Sequence, residues 1–429
     1  MGLVNFAFED DAVVTDAVEA NPVAEVVEAS ADATADAGEI AQVQEMVDTG
    51  IAEAGNLETV GDAVADTLEE GGEGLSPDAA TQVEISVESI CARLGMKNSS
   101  KLSVESFKST ASRRQATKLS LENIWDKLKK VWEAIKKTLA NLWERIKLWF
   151  GKLNLVASAT GKSAVNLVAR LAKKQKDAKA EKATLSLKGV SAAFTDNGKC
   201  GVEQITAALK AAASNMDTVN VLITDSAGYA DKLNAQVEKV IKSIASGEAA
   251  KVEVSDTTNS NPVVSFASKP AMKFVRGITG KVVVNNKSDK LSAKFEIQLP
   301  AKFEPAAEVA VCTVSEAVSL ANEIRTTNTS MQGAVVFEKG LNTFKKIADK
   351  CISDLTTLIA AQAKKEPSAE EATHARELSV AFGIAQNELT VTSSLLASIN
   401  AKVLDYAKNA ITEALTYGYA VEAQYKDAE

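Results

Sequence analysis

From Asn123 to Leu153 the chain repeats large apolar residues at helical spacing: Ile124, Trp125, Leu128, Trp132, Ile135, Leu139, Leu142, Trp143, Ile146, Trp149, Phe150 and Leu153. At 100° per residue these fall mainly on one face, while Lys127, Lys129, Lys130, Lys136, Lys137 and Lys147 fall elsewhere, so the pattern predicts a strongly amphipathic helix. Ser120, just ahead of Asn123, stands where a cap would begin it. All four tryptophans of the chain, Trp125, Trp132, Trp143 and Trp149, lie in this stretch.

Beyond it the helical period continues through "LVARLAKKQKDAKAEKATLSL", "GVEQITAALKAAASNM" and "AGYADKLNAQVEKVIKSIAS". The period then shortens to two. "KVEVSD", "PVVSFAS", "MKFVRGI", "GKVVVNN" and "LSAKFEIQL" read as short strands separated by Asn, Ser, Pro and Gly, which predicts a small antiparallel sheet between Lys251 and Leu299. Long helical patterns return and predict a C-terminal bundle over 305–425, with a break at Lys365, Glu366 and Pro367. Residues 1–80 are rich in Ala, Val, Asp, Glu and Gly and show no sustained helical stripe, so they read as a weakly structured arm with room for short helices around "AGEIAQVQEMVDTGIAEAG". The fold class expected is α+β and predominantly helical: a helical bundle with a small antiparallel sheet, preceded by a largely disordered acidic arm. Three regions follow: 1–122, an acidic propeptide and linker; 123–185, the basic Trp/Lys helical region; and 186–429, the α+β body.

Charge sharpens this division. Residues 1–122 hold 24 acidic and 7 basic side chains, a net −17, whereas the remainder holds 33 acidic and 41 basic, a net +8. Between Asn123 and Leu153 alone, eight basic residues face three acidic ones. A basic helix with a Trp and Leu face suits an interfacial membrane site, a partner groove, or packing on its own domain. With 46% apolar residues and only 5% aromatic, the core must be built mainly from Ala, Val, Leu and Ile.

The chemistry-bearing residues do not assemble a catalytic motif. Cys91, Cys200, Cys312 and Cys351 lie far apart without a CxxC spacing, which reads as free thiols and argues against a zinc cluster or a disulfide framework. His374, the only histidine, sits in the polar run "EEATHARE" and reads as an exposed helix residue. Gly161-Lys162-Ser163 lacks the earlier glycine that lets a loop wrap phosphate. No apolar run reaches the roughly 18 residues of a membrane span, and "MGLVNFAFEDD" lacks the layout of a signal peptide or a myristoylation site. These readings predict no catalytic residue, no metal site and no cofactor.

Three Ser-aliphatic-Glu tripeptides stand between the acidic arm and the tryptophan stretch: Ser86-Val87-Glu88, Ser103-Val104-Glu105 and Ser120-Leu121-Glu122. Their glutamates are 17 residues apart, and the intervening "KNSSKLSVESFKSTASRRQATK" reads as exposed linker, the kind of backbone that proteases enter. An acidic, Ala-rich N-terminal region, clustered Ser-x-Glu sites and a following "SLENIWDKLKKVWEAIKKTL" together resemble the internal head proteins of the phiKZ-like jumbo tailed phages. The resemblance implies a non-enzymatic protein of the capsid interior, made in the host cytoplasm, whose propeptide is removed by the phage prohead protease. It implies cleavage at Ser120, Leu121 and Glu122 with Asn123 as the new N-terminus, and Glu88 and Glu105 as secondary sites. It further implies other capsid or inner-body proteins and non-specific packaged DNA as partners. The alternative is a membrane-active or host-directed protein delivered with the DNA, with membrane as the second-choice partner.

Overall fold

The computed structural model describes residues 23–68, 72–96, 104–107, 109–176, 178–246, 260–274, 277–287, 290–300, 304–362 and 369–428. Helices α1 (Ala24–Asp66) and α2 (Pro77–Arg93) are followed by a single 3-10 turn, Val104–Phe107, and by α3 (Thr110–Leu171). Next come β1 (Thr184–Leu185), α4 (Lys188–Phe194), α5 (Val202–Ser246), α6 (Pro262–Ala267), β2 (Met272–Lys273), β3 (Thr279–Lys287), β4 (Lys290–Gln298) and β5 (Val309–Ala310). The chain ends in α7 (Val314–Gln332), α8 (Ala334–Gln362) and α9 (Ala369–Glu422). The architecture is α+β and predominantly helical, with a small antiparallel sheet, as the periodicity predicts.

Local chemistry sets the helix starts. Ser76 accepts from the Ala79 amide ahead of Pro77, Ser109 accepts from the Ser112 amide, and Thr313 with Glu316 forms a capping box. Thus α3 begins at Thr110, and Ser120 lies inside the helix instead of capping it. The nominal boundary at residue 122 falls within this uninterrupted helix.

Helix α9 is the shaft of the bundle. From Ala385 to Ala401 every residue is buried, and α1, α3, α5, α7, α8 and the β3–β4 hairpin all pack around it. Strands β3 and β4 pair in antiparallel register from Thr279↔Gln298 to Lys287↔Lys290, with β2 on the other side of β3. Val282, Leu291 and Phe295 turn inward, and the Leu291 amide donates to Asn387 Oδ1 on α9 at 3.0 Å. A second ladder joins β1 to β5, and the C-terminus is tied nearby where Tyr425 donates to the Cys312 carbonyl at 2.7 Å.

Two further expectations change. "PVVSFAS" is helix α6 and not a strand, because Asn261 caps the Val263 amide and Pro262 takes the first helical position, where its missing N–H costs nothing. The larger change is in the acidic arm. Residues 24–66 form one 43-residue helix in place of a weakly structured segment, because Val26, Ser30, Ala33, Ile40, Val43, Val47, Gly50, Ala54, Leu57, Gly61 and Val64 recur at helical spacing and are all buried. Residues 1–22, "KVEVSD" and the break at Lys365, Glu366 and Pro367 lie outside the described residues.

Candidate functional site

The apolar face of α3 is buried. Trp149 is fully enclosed, Trp132 and Trp143 are nearly so, and Trp125 is half-buried, whereas Lys129, Lys130, Lys136, Lys137 and Lys147 stay exposed. What covers much of this face is α1, which runs antiparallel to α3. Ala33 lies opposite Trp149, Gly50 opposite Ile135 and Gly61 opposite Ile124, so small residues on one helix meet large ones on the other. Trp149 Nε1 donates to the Ala33 carbonyl at 2.8 Å, giving the buried indole its partner. A Cβ at Gly50 would stand 2.9 Å from Ile135 Cγ1, so the close approach depends on the missing side chain.

Charge follows the same register. Asp36 accepts from Lys152 at 2.9 Å and Glu39 pairs with Arg145, so acids on α1 meet cations at the edge of the tryptophan face. The hydrogen bond from Lys152 to Asp36 holds the lysine above its ordinary pKa. Pairs this open to solvent contribute little stability each, and their main effect is to fix the register.

The other wall of the seat is α9, also antiparallel to α1. Lys408 is completely buried there; its ammonium donates to the Ser30 carbonyl at 2.7 Å and to Thr34 Oγ1, and it pairs with Asp405 at 2.8 Å. Burial pulls the Lys408 pKa down against the pull of Asp405. Further along, Ser394 on α9 donates to Asp48 Oδ1 at 2.6 Å, and burial raises that carboxyl despite the bond. Lys402 is depressed by burial and by Lys294. A buried ammonium is tolerated only with its donors used, and α1 supplies two of its three acceptors.

The candidate cleavage residues lie at the edge of this seat. Ser120, Leu121, Glu122 and Asn123 are all within α3; Glu122 is exposed, but its backbone is helical. Glu88 is within α2, next to buried Val87. Glu105 lies in the 3-10 turn between these helices, just before buried Phe107, whose carbonyl accepts from Arg113 at 3.1 Å. Gly161-Lys162-Ser163 is helical and not a loop, with Gly161 placed so that a Cβ would meet Asn328 of α7. His374 is on α9, its side chain outside the described ones. All four cysteines are buried free thiols, and burial pushes Cys200 up to about 11 and Cys351 up to about 12, away from nucleophilic use.

Neither the α1 seat nor the buried ion pair of α9 was evident from the pattern of residues. The signals were faint: an α1 stripe in which Ser30, Ala33, Gly50, Ala54 and Gly61 dilute the larger apolar residues, and a stretch from Leu389 to Ala401 that carries no charge on any face.

Long helices wrap a buried shaft, with an acidic helix laid over a basic aromatic one. The chain matches the family model of phiKZ-like phage internal head proteins over residues 14–420, and it belongs to that family. It is therefore a structural protein of the phage head interior. No curated protein and no solved structure matches it.

Proposed function

We propose that this internal head protein is non-enzymatic, that the phage prohead protease cuts it after a Ser-x-Glu tripeptide, and that it is packaged with phage DNA among other head proteins. The observation that carries the reading is the acidic helix α1 seated on the tryptophan and lysine helix α3, which separates the two charge regimes of the chain into two stacked elements.

A protease needs extended backbone in its cleft, so a cut after Glu122 requires α3 to open first. Glu105 asks for less, being in a short turn between α2 and α3. Charge supports it too: residues 1–105 hold 23 acidic and 3 basic side chains, a net −20, against 34 acidic and 45 basic beyond, a net +11. The exposed lysines of α3 point away from the core and offer a non-specific contact to phosphate. The membrane-active alternative would need the tryptophan face, which α1 and α9 occupy, and among the described residues no helix is long and apolar enough to cross a membrane.

Mass spectrometry of the N-terminus in purified heads tests the processing. Ser106 is the expected first residue, Asn123 would mean a cut within α3, and intact Met1 would contradict processing altogether.

A further inference from the structure

We propose that the groove between α3 and α9 is a receptor site for one acidic helix of small-residue chemistry, and that α1 keeps this seat after the chain is cut between α2 and α3. The proposal takes its biological setting from the processing reading above, but its physical basis is independent of whether the natural protease cuts there. Cleavage then yields a nicked two-piece protein, and the charge separation is released only in a second step, when α1 lifts off.

Four observations point the same way. First, α1 contributes fourteen buried residues, so it is a wall of the core and not a surface strap. Second, the fit is in register along its length: Trp149 with Ala33, Ile135 with Gly50 and Ile124 with Gly61 all keep one antiparallel alignment. Third, the charges match that alignment, Asp36 with Lys152 and Glu39 with Arg145 on α3. Fourth, α1 supplies partners to buried polar groups of α9: Lys408 uses the Ser30 carbonyl and Thr34, and Ser394 uses Asp48. Departure of α1 would bare the tryptophan face together with the Lys408 ammonium. An apolar face of that length is larger than a soluble monomer usually carries, so the empty groove is a poor resting state.

The seat also selects its occupant. A helix with a large side chain at the Gly50 position meets Ile135, and one with basic residues at the Asp36 and Glu39 positions meets Lys152 and Arg145. That excludes the basic helices of this chain as substitutes for α1.

The test uses the full-length protein with a specific protease recognition sequence inserted between Met96 and Val104. After complete cutting, size-exclusion chromatography with mass measurement at about 1 µM is run in low salt and in high salt. The expected result is co-elution of both pieces, one copy of each, at both salt concentrations, because apolar packing outweighs the exposed ion pairs. Separate elution of the N-terminal piece in low salt would overturn the proposal. Gly50→Leu is expected to weaken retention about tenfold or more after cutting, while the uncut variant stays folded because the tether keeps α1 at high effective concentration. Trp149→Phe keeps an aromatic ring and removes the bond to the Ala33 carbonyl, so a loss of about two- to tenfold is expected. Retention unchanged in both variants would show that this register does not hold the fragment.

Discussion

Helices α1 and α9 lie side by side and solve burial in opposite ways. Helix α1 is one-sided: its Ala, Gly and Val stripe faces α3 and α9 while Glu25, Glu45 and other acids face solvent. Helix α9 is enclosed on all sides from Ala385 to Ala401, and it carries Gln386, Asn387, Glu388, Thr390, Ser393, Ser394, Asn400, Asp405 and Lys408 into the interior. The difference shows where specificity resides. Apolar complementarity of small against large residues positions α1, whereas hydrogen-bonded polar groups on α9 dictate which neighbour sits at which height. Tyr229 of α5 donating to Glu388 and Ser394 donating to Asp48 fix two different neighbours on the same shaft.

The comparison breaks most readily at Lys408. Replacing it with Ala strips the buried Asp405 of its cation, and a loss of about 3–5 kcal/mol in a urea melt is expected. Trp149→Ala, on the other wall of the seat, leaves a large cavity and removes the indole donor to the Ala33 carbonyl, with an expected cost of about 3–4 kcal/mol. Gly50→Leu probes α1 itself, and overpacking against Ile135 is expected to cost about 1–3 kcal/mol. A cost near zero there would mean that α1 contributes no packing of its own.

Smaller effects sharpen the electrostatic half. Arg145→Ala removes an exposed pair with Glu39, and a change below about 1 kcal/mol, shrinking further in salt, is expected. Asp48→Asn has an effect whose size depends on pH. Burial raises the folded-state pKa of Asp48, so the folded protein holds that proton more tightly than the unfolded chain. Its favourable contribution is full below the unfolded value of about 4 and is lost as pH rises through the folded value. The Asn variant is therefore expected to be the more stable protein at pH 7, with its advantage vanishing near pH 3; melts at both values check this.

Much of this was legible in the chain. The tryptophan helix was plain because Trp and Ile at three- and four-residue spacing give a strong apolar contrast with Lys. The β3–β4 hairpin was plain because Leu291, Ala293, Phe295 and Ile297 alternate with polar residues along β4, and Val282 to Val284 supply a β-branched run on β3. Helix α1 was hidden because Ala33, Gly50, Ala54 and Gly61 carry little hydrophobic signal, and their value lies in the bulk of the residues opposite. The start of α3 was misplaced because Ser109 and Ser120 are both capable caps, and only packing decides which one the helix uses. "PVVSFAS" misled because β-branched residues suit strands, yet Asn261 and Pro262 make a stronger local helix start.

The central claim is that the acidic helix α1 is an integral wall of the fold, seated on the tryptophan face of α3. Hydrogen exchange on the uncut protein tests it most directly. The expected result is that amides of residues 40–64 exchange as slowly as those of residues 124–150, and that both are exposed together by Trp149→Ala. Exchange of residues 40–64 at the rate of an unstructured chain, beside a protected tryptophan helix, would contradict it.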